Sequence, residues 1–292
     1  MIKKISILCF CFLIVSVLSA QESIRVMTWN LRTGGISGQI DRETGNSWQE
    51  RLPRIRTLWK ELSPDLVGTQ ELYRYQVRDL EKMSGFRSFG IGRNGYLEGD
   101  ESCAVLYNPE RFELEQNGTF SLNETPEVYQ KGWDAAYLRI VTWGIFKDRR
   151  SGQSFILYNV HLDNKGETAR LEGTSLILRH YAKSGRALPM ILTGDFNARP
   201  NSSVIVKIRH LLYDTRQQSQ SPPEGPQDYS YTGYRTETKI PRLGPIDYIF
   251  VSQEWKVLTH RTVNRKPDGK FPSDHCPLVV ELQLDLSTEG TK

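Results

Sequence analysis

The sequence predicts a mixed α/β fold in which buried strands alternate with amphipathic helices. Three observations carry this prediction. Short runs such as Ser23 to Leu31 hold apolar residues on both faces, as strands covered on each side require. Three longer segments repeat apolar residues at helical spacing. No internal repeat, low-complexity tract or shift in composition divides the 292 residues, so one domain is expected after a leader. With 38% hydrophobic, 25% charged and 10% aromatic residues, the composition excludes a disordered, collagen-like or coiled-coil chain.

The elements follow in order. Lys3 and Lys4 precede an apolar run from Ile5 to Leu18 that closes with Ser19-Ala20, the pattern of a secretory signal peptide. A membrane anchor is the alternative, but the run is short against the roughly 20 residues of a span. Cleavage is expected at Ala20/Gln21, leaving residues 21–292 as a mature chain without a transmembrane segment, secreted or periplasmic. Ser23 to Leu31 reads as the first strand. Trp48, Leu52, Ile55, Trp59 and Leu62 form a helical stripe, with Ser47 as N-cap and Pro64 beyond the end. Asp65 to Thr69 reads as a strand and Leu72 to Met83 as a helix. Strands are expected over 86–90, 103–107, 112–120, 138–147 and 155–162, then a helix over 167–183 and a strand over 189–193. Residues 217–245, polar and rich in Pro, Gly and Tyr, read as a long surface loop. Strands over 246–252, 256–264 and 278–284 close the chain.

Charge and cysteine usage change once the leader is set aside. Without Lys3 and Lys4 the cations number 36 against 34 acids, in place of 38 against 34. A nearly neutral chain exerts no whole-molecule pull on nucleic acid. Cys9 and Cys11 leave with the leader. Cys103 and Cys276 remain in apolar surroundings and read as small buried residues, although a bridge between them stays open. The absence of Cys-x-x-Cys and His-x-x-x-His spacings argues against zinc.

Polar residues able to bind metal or move protons gather at strand ends. Asn30 ends the first strand and Glu71 follows the second. His161 and Asp163 end Tyr-Asn-Val-His-Leu-Asp, and Asp195 and Asn197 follow Met-Ile-Leu-Thr. Asp247 opens Ile-Asp-Tyr-Ile-Phe-Val, and Asp274-His275 precede the last strand. Any one of these has an ordinary explanation as a turn or cap. Six such stations in one chain point to a shared cleft, because open sheets bind ligands at strand ends. Carboxylates with an amide and no thiolate suit a hard cation such as Mg²⁺ or Mn²⁺. Two histidines with carboxylate partners suit proton transfer or phosphate contact. Together they form a kit for attacking an anionic ester with water. A serine hydrolase is the weaker alternative, since no Gly-x-Ser-x-Gly elbow is present.

In order, Trp29-Asn30, Gln70-Glu71, Asn159-Val160-His161, Gly194-Asp195-Phe196-Asn197, Ile246-Asp247-Tyr248 and Ser273-Asp274-His275 resemble the endonuclease/exonuclease/phosphatase superfamily over residues 24–285. Lys131 to Ala136 and Arg139 to Trp143 are similar to its secreted and uncharacterised bacterial members. The resemblance implies a four-layer α/β/β/α sandwich of two mixed sheets with helices outside. It implies Glu71 as principal metal ligand, with Asn30 and Asp274 on or near the ion. It further implies Asp195 as the residue that orients and deprotonates water, and Asn197 as a water or phosphate contact. His275, oriented by Asp247, would contact phosphoryl oxygens or act as base, and His161 would bind phosphate or assist the leaving group. A Tyr stands at the His161 position in the abasic-site endonuclease branch. The departure favours the branches with His there: DNase I-like nucleases, sphingomyelinases, inositol-phosphate phosphatases and deadenylases.

The expected activity is therefore metal-dependent hydrolysis of a phosphodiester or phosphomonoester by a monomer. Its substrate is a small molecule, nucleotide, lipid or sugar phosphate. An exported DNase or RNase is the alternative, and a binding module of the same fold without catalysis is a third reading. Extended nucleic acid is not favoured, because no run of five Lys or Arg exists and the pairs Arg149-Arg150 and Arg265-Lys266 suit solvated turns. Arg93, Arg139 and Arg170 are substrate-binding candidates. Tyr229, Tyr231 and Tyr234 either stack on substrate or pin the loop to the body.

Overall fold

Strand pairing sorts the chain into two sheets of six strands each. The computed structural model describes residues 22–34, 38–184 and 188–285, so the expected leader and its cleavage site lie outside it. In chain order the strands are β1 (Ser23–Asn30), β2 (Leu66–Gln70), β3 (Arg87–Phe89), β4 (Val105–Tyr107), β5 (Phe112–Ser121), β6 (Ile140–Asp148), β7 (Ser154–His161), β8 (Met190–Asp195), β9 (Tyr213–Asp214), β10 (Asp247–Val251), β11 (Trp255–Thr262) and β12 (Leu278–Leu284). The helices are α1 (Gly38–Glu43), α2 (Trp48–Leu62), α3 (Arg74–Ser84), α4 (Glu167–Lys183), α5 (Ser203–Arg209) and α6 (Thr215–Gln218). One sheet runs β11-β12-β1-β2-β4-β3 and the other β5-β6-β7-β8-β10-β9. Only β1–β2 and β7–β8 pair in parallel, so both sheets are mixed.

Apolar residues on both strand faces have two destinations. Val26, Leu66, Phe146, Leu157, Ile191, Ile249 and Val280 meet between the sheets. Met27, Trp29 and Val67 on the opposite face pack against Ile55, Leu58, Val77 and Leu80 of α2 and α3. Tyr158, Val160, Leu192 and Phe250 pack on Ile177 and Leu178 of α4 and on Val204 and Ile208 of α5. This gives the four-layer α/β/β/α sandwich that the resemblance implied.

Helix α2 begins on a full capping box between Ser47 and Glu50 and ends at Ser63 in the left-handed region, just before Pro64. Helix α3 starts later than the periodicity suggested, because Glu71 takes a φ of 68° and Leu72 bridges to Ser102. Strand β4 is shorter than 103–107, since the Cys103 and Ala104 carbonyls accept from the Asn159 amide. Helices α1 and α5, although short, add to the elements read from periodicity. The 217–245 segment is only partly a surface loop: Tyr229, Ser230 and Thr232 are buried. Cys103 and Cys276 are both buried and unpaired. Among the described residues no helix is long and apolar enough to cross a membrane.

Candidate active site

Strand direction brings the polar stations together. Asn30 and Gln70 are register partners at the ends of the parallel pair β1–β2, and Glu71 follows at once. In the other sheet His161, Asp195 and Asp247 are consecutive register partners across β7, β8 and β10. Strand β12 runs antiparallel to β1, so Asp274 and His275, just before it, reach the same end. Close packing supports this edge from behind. At Gly194 a Cβ would come 2.1 Å from the Val160 carbonyl oxygen, and at Gly68 it would come 2.4 Å from Thr193 Oγ1. The space so kept holds a buried network between the sheets, in which Gln70 Nε2 donates to Asn159 Oδ1 at 2.7 Å.

The side chains form a connected set. Asn30 Nδ2 donates to Glu71 Oε1 at 2.9 Å and to Asp195 Oδ2 at 3.0 Å, which fixes both carboxylates across the sheet gap. Asp195 Oδ1 accepts the Asn197 amide at 2.9 Å, and Asp195 Oδ2 lies 3.5 Å from His161 Nε2 and 3.7 Å from His275 Nε2. His275 Nδ1 meets Asp247 Oδ2 at 2.9 Å, and the same oxygen accepts the Ser230 hydroxyl at 2.6 Å. Arg32 Nη1 donates to Asp274 Oδ2 at 2.9 Å while its other nitrogens hold Asp41. Arg32, Glu71 and Asn197 all have positive φ, a strained backbone that recurs where side chains must be aimed.

Burial and charge divide the protonation states. Burial pushes the Asp195 carboxyl up, the Asp247 carboxylate pushes it further, and the outcome is about 7. Burial would lower His275, but the Asp247 and Asp195 carboxylates outweigh it and hold the imidazole well above its ordinary value. Burial, with Arg139 and Arg93 nearby, drives His161 well below its ordinary value and keeps it neutral. Burial would raise Glu71, yet the Asn30 amide, the His275 charge and the Thr33 amide hold it low and anionic.

These groups open on a cavity of about 360 Å³, lined by Glu71, His161, Asp195, Asn197, Asp274 and His275 together with Arg93 and Arg139. Arg93 pairs with Glu101. Arg139 reaches Asp163 through Nε at 3.4 Å, while its buried Nη1 has no partner. Arg170 is a correction: it does not line the cavity, and its guanidinium donates instead to the Asp163 carbonyl at 2.9 Å. Burial would raise the Asp163 carboxyl, but four backbone amides outweigh it and hold it at about 2, so this group builds the turn before α4. Sequence reasoning missed Arg32, Glu101, Tyr137 and Asn164 in the lining and Ser230 behind it. Tyr231 is the loop tyrosine at the site, with its ring 4.9 Å from that of His275, whereas Tyr229 is buried beneath the loop.

Glu71, His161 and Asp195 each place a donor atom within 4.8 Å of the others, as do Asp195, Asp247 and His275. Carboxylate oxygens with imidazole and no thiolate fit a hard divalent cation. Asn30 turns its NH₂ toward both carboxylates, so its oxygen faces the Arg32 amide at 3.0 Å.

A sequence profile of the Endonuclease/Exonuclease/phosphatase family matches residues 27–275. The chain belongs to that family. It is thus a phosphoesterase, in a family that depends on a divalent metal. A family protein of Bacteroides thetaiotaomicron superposes with a TM-score of 0.85 at 30% identity, covering 93% of this chain and 98% of that one. A mannosyl-6-phosphatase of the same organism superposes with a TM-score of 0.81 at 30% identity, covering 89% and 99%. Human nocturnin is 23% identical over 93% of this phosphoesterase and 68% of its own length.

Proposed function

We propose that this phosphoesterase is an exported, Mg²⁺- or Mn²⁺-dependent hydrolase of small phosphorylated molecules, with a sugar phosphate as the first candidate. The leader-like first twenty residues support export, with residues 21–292 as one catalytic domain. The observation that carries the chemistry is the arrangement around Asp195. A buried carboxyl poised near neutrality stands between an anionic Glu71 and two imidazoles of opposite charge state, on a cavity of about 360 Å³. The mannosyl-6-phosphatase relative supports the sugar phosphate.

Glu71 would hold the cation, with Asp274 near it and Asn30 aiming Glu71 through its NH₂. Bound there, the cation would supply positive charge to offset the phosphoryl and leaving oxygens. Asp195, aimed by Asn30 and the Asn197 amide, holds water and takes its proton, and a value near 7 suits a base at neutral pH. The water oxygen bonds to phosphorus as the ester P–O bond breaks and the alcohol departs. His275, kept charged and oriented by Asp247, donates to a phosphoryl oxygen, where charge develops. His161 is neutral and cannot readily release a proton, so its part is a hydrogen bond to phosphate. Arg139, with its unpaired buried Nη1, and Arg93 hold the remaining phosphate oxygens.

The test is a panel of hexose phosphates, bis-p-nitrophenyl phosphate, DNA and RNA, with Mg²⁺, Mn²⁺ or chelator. Hydrolysis of a small ester is expected only with metal, and Glu71→Ala and His275→Ala are expected to lose about 10²-fold or more. Equal turnover by wild type and both variants would sink the assignment. Cleavage of nucleic acid alone would replace it with a nuclease.

A further inference from the structure

A second hollow of about 220 Å³ adjoins the catalytic cleft and carries Arg235, Lys266 and Lys270 in its wall, with Asn46, Tyr234 and Phe271. It touches the cleft through two stacks. The Arg32 guanidinium lies 5.7 Å over the Tyr234 ring, and the Arg235 guanidinium lies 5.8 Å over the Tyr231 ring. Arg32 and Tyr231 line the catalytic cavity, so the two spaces share a wall.

Three cations share the wall of this one small space. Several exposed arginines elsewhere are matched with acids: Arg78 with Glu98, Arg149 with Glu113, Arg242 with Asp228, Arg261 with Glu224 and Arg265 with Glu61. No acid lines the second hollow, and among the described residues none of its three cations forms an ion pair. Like charges gathered around one space repel, and here packing holds them there. Lys266 Nζ sits 4.3 Å over the Phe271 ring. Lys270 Nζ lies where a Cβ on Gly45 would come within 2.4 Å, so glycine makes its approach possible. Its neighbour Glu50 gives Oε2 to the Ser47 amide and hydroxyl, and its other oxygen lies beside the same Gly45 position, so Lys270 is partly offset by that acid. The Tyr234 hydroxyl is buried without a partner.

We infer that this hollow binds a second phosphate of the substrate, so that the preferred ester is a small bisphosphorylated molecule. The inference rests on the proposed phosphoesterase reading and adds the substrate class to it. A hollow of this size with three cations and the Thr236 hydroxyl in its wall suits one phosphate group. Three cations around one small hollow suit a single phosphate, whereas a long polyanion calls for a track of cations.

The experiment compares kcat/KM for a hexose monophosphate and the matching hexose bisphosphate in wild type and in Lys266→Glu/Lys270→Glu. Arg235 is left intact because it touches Tyr231. The wild type is expected to prefer the bisphosphate. The double variant is expected to lose about 10-fold or more on it and less than about twofold on the monophosphate. Equal loss on both esters, or none on either, overturns the inference. A wild type that cleaves neither ester refutes the proposed reaction instead. Calorimetric titration with the bisphosphate then decides: binding weakened by a like factor in the variant supports the second-phosphate site, and unchanged binding overturns it. If an oligonucleotide, and not the bisphosphate, binds in a manner that depends on these lysines, the site belongs to nucleic acid and the inference fails.

Discussion

Replacing Ser230 by Ala measures how far His275 depends on a loop. Ser230 is fully buried. Its hydroxyl donates to Asp247 Oδ2 at 2.6 Å and accepts the amides of Ile246 at 2.9 Å and Asp247 at 3.0 Å. That carboxylate oxygen is the one that meets His275 Nδ1. The substitution deletes one hydrogen bond to a charged group, about 1.5–3 kcal/mol, and leaves buried amides short of an acceptor, about 1–3 kcal/mol more. The expected stability loss is about 3–5 kcal/mol, or roughly a 10 °C fall in Tm for a chain of this size. With Asp247 free to turn, His275 loses its aim, and kcat is expected to fall about 10- to 100-fold with KM little changed. Ser230→Thr keeps the hydroxyl and is expected to recover most of the rate. Thermal unfolding and steady-state kinetics, run where the variant is fully folded, provide the readout. A variant that loses stability but keeps kcat within about twofold would show the hydroxyl to be structural only. If neither quantity moves, the hydrogen bonds themselves are wrong.

Two further predictions concern other residues. His260 is buried, and because the Thr215 hydroxyl is spent on the Ile249 carbonyl, its Nδ1 must carry the proton toward Thr215, leaving Nε2 bare. Burial, aided by Arg216, lowers this imidazole to about 3. Its contribution to stability is therefore complete above the unfolded value of about 6.5 and is lost as pH falls toward 3, by about 3 kcal/mol at pH 4.5. Urea midpoints at pH 7 and 4.5 should converge in His260→Gln, and an equal acid loss in wild type and variant would contradict the argument. Arg139→Lys removes the planar fork beside an unpaired buried nitrogen. It is expected to raise KM about 10-fold while leaving Tm within a few degrees, and an unchanged KM would exclude Arg139 from phosphate contact.

The sequence showed those residues whose place is set by strand periodicity. Asn30, Glu71, His161, Asp195, Asp247, Asp274 and His275 stand where an apolar run stops. Once the strands are known, pairing direction alone carries them to one edge. Ser230 and Tyr231 had no such signal, because the bridge between Tyr231 and His275 pairs a loop residue with a turn residue far along the chain. The alternation Tyr229-Ser230-Tyr231-Thr232 was the available hint, since a solvent loop has no need of it. Arg32 was equally hidden: its left-handed backbone swings the guanidinium onto Asp41 and Asp274, a geometry no spacing reports. Arg170 misled because a helical position near a polar strand end says nothing about whether the side chain faces the cleft or the turn behind it.

The two sheets solve the same geometric problem in the same way. A parallel pair ends at the active edge and an antiparallel neighbour begins there, β1–β2 with β12 in one sheet and β7–β8 with β10 in the other. Packed face to face, these triplets bring Glu71 and Asp274 from one sheet against Asp195 and Asp247 from the other. Four carboxylates near one another in a desolvated place repel: burial and then Asp247 raise Asp195, and burial raises Asp274 against the pull of His275, with Glu71 adding to the rise. On the proposed mechanism, that crowding makes Asp195 basic enough to accept a proton and favours a divalent cation beside Glu71. In that mechanism base strength and metal affinity share one physical origin. A net charge of +4 over the whole chain conceals it, because a total does not report where the charges sit.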